Sequence, residues 1–161
     1  MSSLLIPIQM RFGDIDSYGH VNNVTMLQYL EDARVRLMAR PLPEDAAAGV
    51  PEGATFRTLL GDLMTVIGRQ EVEYTQQLLY RDDPVSVRVW VSSVGGSSFV
   101  LDYAVQEEDG SRVYAVAQTV VVVIDRSSRR PVRLDDTQRG LLEQWQDAPT
   151  RFARRPAPAE A

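Results

Sequence analysis

The sequence predicts an α+β domain in which an antiparallel sheet carries one long helix on one face. Three observations lead to this prediction: an alternating apolar segment near the N-terminus, a helical repeat of apolar residues after it, and a series of strand-like segments joined by short turns. The 161 residues suit a single core, and we expect one domain over residues 1–147. Residues 148–161, rich in proline, alanine and arginine, are expected to form a flexible tail.

The first two elements are a strand and the long helix. From Leu4 to Phe12, apolar residues alternate with polar or small ones, which predicts a strand. From Val24 to Met38, apolar residues recur at spacings of three and four, which places them on one face of a helix. Asn22 or Asn23 can cap the first turn of this helix, and Pro41 requires it to end.

The rest of the chain predicts strands in hairpin order. Residues 40–56 hold three prolines and indicate a loop or a short irregular helix. The strand patterns that follow cover residues 63–74, 85–91, 99–105 and 113–124. The last of them contains the continuous apolar run 120–124, so we expect it to be the central strand. A short helix is expected over 135–145, capped by Asp135 or Asp136.

Composition and charge narrow the classes of function. The chain contains no cysteine, which excludes disulfides, thiol nucleophiles and cysteine zinc sites. Its net charge of −5 disfavours nucleic acid as a partner. Neither a membrane-spanning segment nor a secretory signal is evident, so we expect a cytoplasmic protein with no membrane partner. Four arginines between 126 and 133 form a basic spot, for which a solvated turn is the simplest interpretation.

The segment between the first strand and the long helix contains the groups best suited to acid–base chemistry. The helix directs its free N–H groups and the positive end of its dipole at this loop, which suits an anion or a developing oxyanion. A carboxylate held there stays ionised, as a general base or nucleophile requires. The commonest role of residues such as Asp14, Asp16 and Asn22 in a loop is nevertheless to satisfy turn and helix-start amides.

Two further interpretations concern metal binding. Asp14 and Asp16 begin a pattern similar to a calcium loop, but Tyr18 stands where an oxygen ligand is needed and Thr25 stands where the bidentate glutamate belongs. His20 is the only histidine, so no histidine cluster can build a metal site. A single loop histidine is more often a hydrogen-bonded spacer than a catalyst. The residues alone leave a structural and a catalytic interpretation open.

Residues 11–34, with the sequence RFGDIDSYGHVNNVTMLQYLEDAR, resemble the signature of the 4-hydroxybenzoyl-CoA thioesterase-like family of hotdog proteins. The HVNN motif within them also resembles that of plant acyl-carrier-protein thioesterases, and weaker similarity extends over 94–103 and 115–132. The resemblance implies the hotdog fold, an antiparallel sheet wrapped around one long helix. It further implies an acyl-CoA thioesterase that uses no metal or other cofactor.

The resemblance also implies roles for individual residues. Asp16 matches the catalytic aspartate, which acts as a nucleophile or as a general base on water, and the backbone N–H of Asn23 matches the donor that polarises the thioester carbonyl. Tyr18 stands where the plant enzymes carry a catalytic asparagine, so we assign His20 a supporting role. The residues expected to bind substrate are Tyr18, His20, Asn22, Tyr29, Ser97 and Ser98. Related enzymes form their sites between subunits, so a homodimer or homotetramer is expected.

Two alternatives keep the fold and change the function. Hotdog hydratases pair a histidine with an acid on enoyl or hydroxyacyl thioesters, and His20 is available for that role. A non-catalytic acyl-CoA-binding module would bind the thioester without turnover. The nature of the acyl group, and the choice between CoA and carrier-protein thioesters, stay open.

Overall fold

The computed structural model describes residues 3–42 and 50–153, which form five strands and three α-helices. In chain order these are β1 (Leu4–Ile8), α1 (Asn23–Ala39), α2 (Phe56–Leu59), β2 (Leu63–Tyr74), β3 (Val85–Val94), β4 (Ser98–Gln106), β5 (Val113–Asp125) and α3 (Asp136–Gln144). The predicted positions of α1 and β2 are confirmed to within one residue at each end. Within the described ranges, no helix is long and apolar enough to span a membrane.

The five strands form one antiparallel sheet in the order β1-β3-β4-β5-β2. Helix α1 packs on one face of this sheet, which we call the inner face, and its core contacts come from residues at helical spacing: Met26, Leu30, Ala33 and Leu37. The expected fold class, an antiparallel sheet wrapped around one long helix, is confirmed. Strand β2 lies at one edge of the sheet and pairs only with β5 among the described strands.

The prediction that β5 is the central strand is wrong, because that position belongs to β4. Val121 and Val123 of β5 are buried in the core, whereas Val120 and Val122 are only half-buried on the outer face. The continuous apolar run therefore reflects valines on both faces. Strand β4 is buried on both faces but carries Asp102, whose polarity conceals its central position from a hydropathy pattern.

Strand β1 is shorter than predicted. It ends at Ile8, and a 3₁₀ turn follows over Phe12–Asp14. Met10 stays buried beyond the end of the strand, so the alternation of apolar residues continued although the strand pairing did not. The chain therefore leaves the sheet after Ile8, and the residues between Ile8 and Asn23 form the loop before α1.

The chain after α3 lies against the outer face of the sheet as far as it is described. The indole N–H of Trp90 donates to the carbonyl of Ala148 at 2.9 Å, and the N–H of Thr150 donates to Asp102 at 2.5 Å. Residues 148–153 of the expected tail thus make contacts with the sheet, and residues 154–161 lie outside the described residues. The domain boundary at residue 147 stays a prediction.

Candidate active site

Asp14 organises the first turn of the loop between β1 and α1. Its carboxylate accepts hydrogen bonds from the N–H of Arg11 (2.8 Å) and from the hydroxyl of Tyr29 in α1 (2.6 Å). The Arg11 guanidinium lies 3.3 Å from the other carboxylate oxygen. Asp14 is only 4% exposed, so this turn is fastened to the helix by a buried charge with three partner groups.

The environment of Asp14 keeps it ionised. Burial alone would raise the pKa of Asp14, but the hydrogen bonds from Tyr29 and Arg11, together with the Arg11 charge, lower it below its ordinary value. Burial and the adjacent Asp14 carboxylate raise the pKa of Tyr29, so its hydroxyl stays a donor. The two side chains are hydrogen-bonded to each other beneath the loop, so we interpret Asp14 as a structural carboxylate.

The second turn, residues 16–20, is a tight hairpin loop. The N–H of Asp16 donates to the carbonyl of His20 (3.0 Å), and the N–H of Gly19 donates to the carbonyl of Asp16 (3.1 Å). Gly19 has φ +85°, a left-handed conformation that closes a three-residue loop and that glycine adopts without steric cost. Oδ1 of Asp16 accepts from the N–H of Tyr18 at 2.9 Å, as aspartate commonly does in turns.

The second carboxylate oxygen of Asp16 is left for other partners. Oδ2 lies 3.6 Å from Nδ1 of His20, and the side chains are 17% and 26% exposed, respectively. The ring of Tyr18 stacks on His20 with a centroid distance of 6.2 Å. Asp16 is therefore held in place through one oxygen while it stays accessible beside an imidazole.

The N-terminus of α1 meets this turn. The side chain of Asn22 accepts a hydrogen bond from the N–H of Val24 at 2.8 Å, so Asn22 is the N-cap. It is one of the two residues that were predicted for this role. Nothing in the described chain accepts a hydrogen bond from the N–H of Asn23. Tyr74, at the end of β2, donates its hydroxyl to the Asn23 carbonyl at 3.1 Å. Asn23 thus offers a free backbone donor in a peptide that is anchored to the sheet.

A cleft of about 480 Å³ joins the turn to the helix start. Its far wall comes from the segment after β2, which the loop contacts through a 2.8 Å hydrogen bond from the N–H of Val21 to the carbonyl of Leu78. The residues that line the cleft are Asp16, Tyr18, His20, Val21, Asn23, Met26, Tyr74, Thr75, Gln76, Gln77 and Leu78. Carboxylate, imidazole and a helix N-terminus therefore face one space, whose apolar lining includes Met26 and Leu78.

The structure brings together four of the residues that the sequence singled out: Asp16, Tyr18, His20 and Asn23. Asn22 caps the helix, and Tyr29 lies beneath the loop, bonded to Asp14.

The turn that holds Ser97 and Ser98 lies elsewhere in the chain. Ser98 pairs with Val122, whereas Tyr74 at the cleft pairs with Ala115, about 23 Å away along β5. Their predicted role in substrate binding stays a prediction.

The wall from Tyr74 to Leu78 was not predicted. It lies more than fifty positions from Asn23 in sequence, and residues 75–77 are polar in a way typical of any loop. The only indication available was that β2 ends at Tyr74. The pairing of β2 with β5, not a motif, brings this wall to the cleft.

The described part of the chain contains no group of three or more His, Cys, Asp or Glu side chains arranged to hold a metal ion. Asp16 and His20 are the members of these four residue types that line the cleft.

Known proteins resemble this chain in sequence over most of its length. The family model of the thioesterase-like superfamily matches residues 10–143. A Bacillus subtilis protein of uncharacterised function, YsmA, is 25% identical over 135 residues, which cover 84% of this chain and 82% of that protein.

Solved structures show the same fold. A DHNA-CoA thioesterase from Staphylococcus aureus superposes with a TM-score of 0.69 at 18% identity, covering 90% of this chain and 89% of that one. The probable thioesterase YbaW from Escherichia coli gives a TM-score of 0.68 at 22% identity, covering 91% and 100%, respectively.

Proposed function

This chain belongs to the thioesterase-like superfamily, and on that basis we propose that it hydrolyses acyl-CoA thioesters to the free acid and CoA. The observation that carries the proposal is the cleft in which the accessible oxygen of Asp16 and the free N–H of Asn23 face one space. Hydrolysis of a thioester requires both a group that attacks or activates water and a donor for the developing oxyanion. These two groups meet both requirements without the need for a metal.

The proposed reaction starts with the thioester carbonyl oxygen bound to the N–H of Asn23, where the dipole of α1 favours negative charge. In one route, Asp16 takes a proton from water, the hydroxide adds to the carbonyl carbon, and the C–S bond breaks as the thiolate takes up the proton. In the other, the carboxylate attacks the carbon, the thiolate leaves, and water hydrolyses the resulting acyl-aspartyl anhydride. Both routes use Asp16 in its ionised form.

His20 supports this chemistry in the proposal without acting as the base. Its Nδ1 lies 3.6 Å from Asp16, beyond ordinary hydrogen-bonding distance, and 3.5 Å from the carbonyl of Val21. The Tyr18 ring lies nearly parallel to the imidazole on the side open to solvent. We assign His20 and Tyr18 to one wall of the site, where they shape the space around the carboxylate.

We further propose that the enzyme is a homodimer formed along the free edge of β2. This strand is twelve residues long, and such an edge is a template for pairing with a second copy. Antiparallel pairing would place the Leu63 end of one subunit beside the Tyr74 end of the other. The turn at Ser97 and Ser98 lies toward the Leu63 end, because Ser98 and Val66 both pair with Val122. That turn would thus reach the partner's cleft.

The basic spot lies at the same end of the molecule. Leu63 pairs with Asp125, which directly precedes the four arginines, and Arg133 lies beside Gly96 in the serine turn. No carboxylate within the described residues forms an ion pair with any of the four arginines. Guanidinium groups match phosphate geometry well, so a dimer would offer them to the phosphates of CoA.

A free-thiol release assay over short, long and aromatic acyl-CoAs tests the proposed reaction, with wild type and Asp16→Asn compared. Thiol release by the wild type that is lost in Asp16→Asn supports it. Binding without thiol release would indicate a binding module, and addition of water to enoyl-CoA without thiol release would indicate a hydratase.

The dimer is tested separately by light scattering. Ile67→Lys on the edge of β2 should shift the protein toward a monomer, whereas Leu5→Lys on β1, at the opposite edge, should not. An unchanged dimer in both variants would contradict the proposed edge.

A further inference from the structure

A group of buried polar side chains lies between α1 and the sheet, outside the cleft described above. The hydroxyls of Tyr103 and Thr119 are buried and have no hydrogen-bond partner in the described chain, and neither has Nη1 of Arg34. Tyr103 and Thr119 project from adjacent strands, β4 and β5, on the inner face, and both residues are completely buried. Arg34 approaches them from α1, with a side chain only 12% exposed.

The three side chains are close enough to influence one another. Burial raises the pKa of Tyr103, while the Arg34 charge and loose polar contacts of the Tyr103 hydroxyl with Arg34 and Thr119 act in the opposite direction. The only ion-pair partner of Arg34 in the described chain is Glu31, at 3.7 Å, and that carboxylate is 66% exposed. Arg34 therefore brings a positive charge close to the core with little compensation.

Such an arrangement is costly unless something satisfies it. The large majority of buried polar side-chain atoms in proteins have a hydrogen-bond partner, and an unpaired charge away from water is more costly still. Here one guanidinium nitrogen and two hydroxyls, each able to donate, lie together without a well-formed hydrogen bond, and their contacts with one another leave donors to spare. The chemistry that fits them is an anion with several acceptor oxygens, and a carboxylate is the smallest such group on an organic molecule.

The position of the group relative to the cleft indicates where the carboxylate comes from. Arg34 lies eleven positions after Asn23, about 16 Å along the helix axis, and a helical side chain leans back toward the N-terminus. The guanidinium is then on the order of 10 Å from the start of the helix. On β5, the inner-face residues between Tyr74 and Thr119 are Ala115 and Ala117, the smallest side chains of that strand. An acyl chain that entered from the cleft and followed β5 would lie over these two small side chains.

A carboxylate supplied by a second subunit fits this position less well. Tyr103 lies on β4, which is separated from the free edge of β2 by the whole of β5, a distance of about 10 Å across two strand spacings. A side chain from a partner at that edge would have to cross β2 and β5 beneath α1. An acyl chain that ran parallel to the strands would not meet this obstacle.

We propose that Arg34, Tyr103 and Thr119 bind a carboxylate at the far end of the acyl group, so that the preferred substrates are ω-carboxyacyl thioesters, not methyl-terminated ones. This inference rests on the proposed thioesterase function, which it deepens by naming the substrate class. Arg34 supplies the charge and the two hydroxyls complete the coordination of the carboxylate. Asp16 and Asn23 act on the thioester at the other end.

The test uses pairs of acyl-CoAs with equal carbon number: adipoyl-CoA with hexanoyl-CoA, and suberoyl-CoA with octanoyl-CoA. We expect the wild type to favour the carboxylated member of at least one pair by about tenfold or more in kcat/KM. Arg34→Gln should reduce this ratio to near one through a fall in kcat/KM for the carboxylated member. Tyr103→Phe, which removes only the hydroxyl, should reduce the ratio severalfold even if Arg34→Gln does not fold. The matched control is Arg36→Gln, which removes a more exposed guanidinium from the same helix.

A binding measurement separates failure of this inference from failure of the proposed function. Calorimetric titration of Asp16→Asn with the same four thioesters needs no turnover. Tighter binding of the carboxylated members that is lost on addition of Arg34→Gln supports the site even if no thioester is hydrolysed. Equal binding of both members, or a preference that persists without Arg34, overturns it, and so does the absence of binding by any of the four.

Discussion

The two turns of the loop before α1 use aspartate in opposite ways. In the turn of residues 11–15, Asp14 is buried, paired with Arg11 and bonded to Tyr29. In the turn of residues 16–20, one carboxylate oxygen of Asp16 accepts a hydrogen bond from a backbone N–H, and the other lies beside the cleft. Two carboxylates only two positions apart therefore differ in burial, partners and access to a ligand.

The difference shows that proximity in sequence says little about function in such a segment. A carboxylate whose oxygens are both committed stabilises the fold and cannot attack a substrate. A carboxylate fixed through one oxygen is oriented by that bond and can still act with the other. We therefore expect changes at Asp14 to reduce stability and changes at Asp16 to reduce catalysis.

The largest effect on stability is expected from Asp14→Asn. The amide keeps one acceptor but loses the charge that pairs with Arg11, and its NH₂ group faces donors. We expect a loss of about 2 kcal/mol in the free energy of unfolding, measured by urea denaturation. Asp32→Asn on the exposed face of α1 is the control and should change it by less than about 0.5 kcal/mol. An equal effect of the two changes would contradict the structural role of Asp14.

The same carboxylate should make stability depend on acid pH. Because the pKa of folded Asp14 is depressed, the unfolded state binds more protons between the two pKa values, so stability falls as pH falls. The contribution is fully present above the unfolded-state pKa of about 3.9 and is lost as pH falls through the lower, folded-state pKa. The difference in unfolding free energy between wild type and Asp14→Asn should therefore shrink from about pH 6 to about pH 2.5. A constant difference would show that ionisation of Asp14 is irrelevant.

A smaller effect is expected from Gly19→Ala in the second turn. Gly19 has φ +85°, and an alanine there is strained although its Cβ would meet no atom within 4 Å. We expect a loss of about 1 kcal/mol in thermal or urea unfolding, together with reduced turnover because Asp16 shifts. Gly13→Ala, in the first turn, also meets nothing within 4 Å and has no positive φ, so it should be nearly neutral. Similar behaviour of both variants would argue against a strained second turn.

The smallest effect on catalysis is expected from His20→Asn. If His20 only shapes the wall beside Asp16, kcat/KM for a preferred acyl-CoA should fall by less than about tenfold, with the shape of the pH profile retained. Loss of a true acid–base group typically reduces the rate by about 10² to 10⁴. A fall in that range would show that His20 acts as an acid–base catalyst.

The local pattern of the sequence sufficed for most of the fold. The spacing of apolar residues from Val24 to Met38 determines one helix face, and the alternation in β2 and β3 has few competing interpretations. It did not suffice for the order of the strands, because burial of Asp102 on the central strand depends on hydrogen bonds from Ser92, Gln118 and Thr150, which are distant in sequence.

The candidate site also has one part that the sequence predicted and one that it did not. The turn and the helix start form one continuous segment, so Asp16 and Asn23 could be named from the sequence and its family resemblance. The opposite wall, Tyr74 to Leu78, depends on the pairing of β2 with β5 and had no local signal. The roles of Tyr29, Ser97 and Ser98 in substrate binding stay predictions, and for the two serines they depend on a second subunit.

The most direct test of the division between the two aspartates measures turnover and stability on both variants. Asp16→Asn keeps the oxygen that accepts from Tyr18, so its unfolding free energy should stay within about 1 kcal/mol of wild type while thiol release falls by about 10³-fold. Asp14→Asn should lose stability and, at a temperature where it is folded, keep most of its turnover. Thiol release by Asp16→Asn at the wild-type rate would contradict the account.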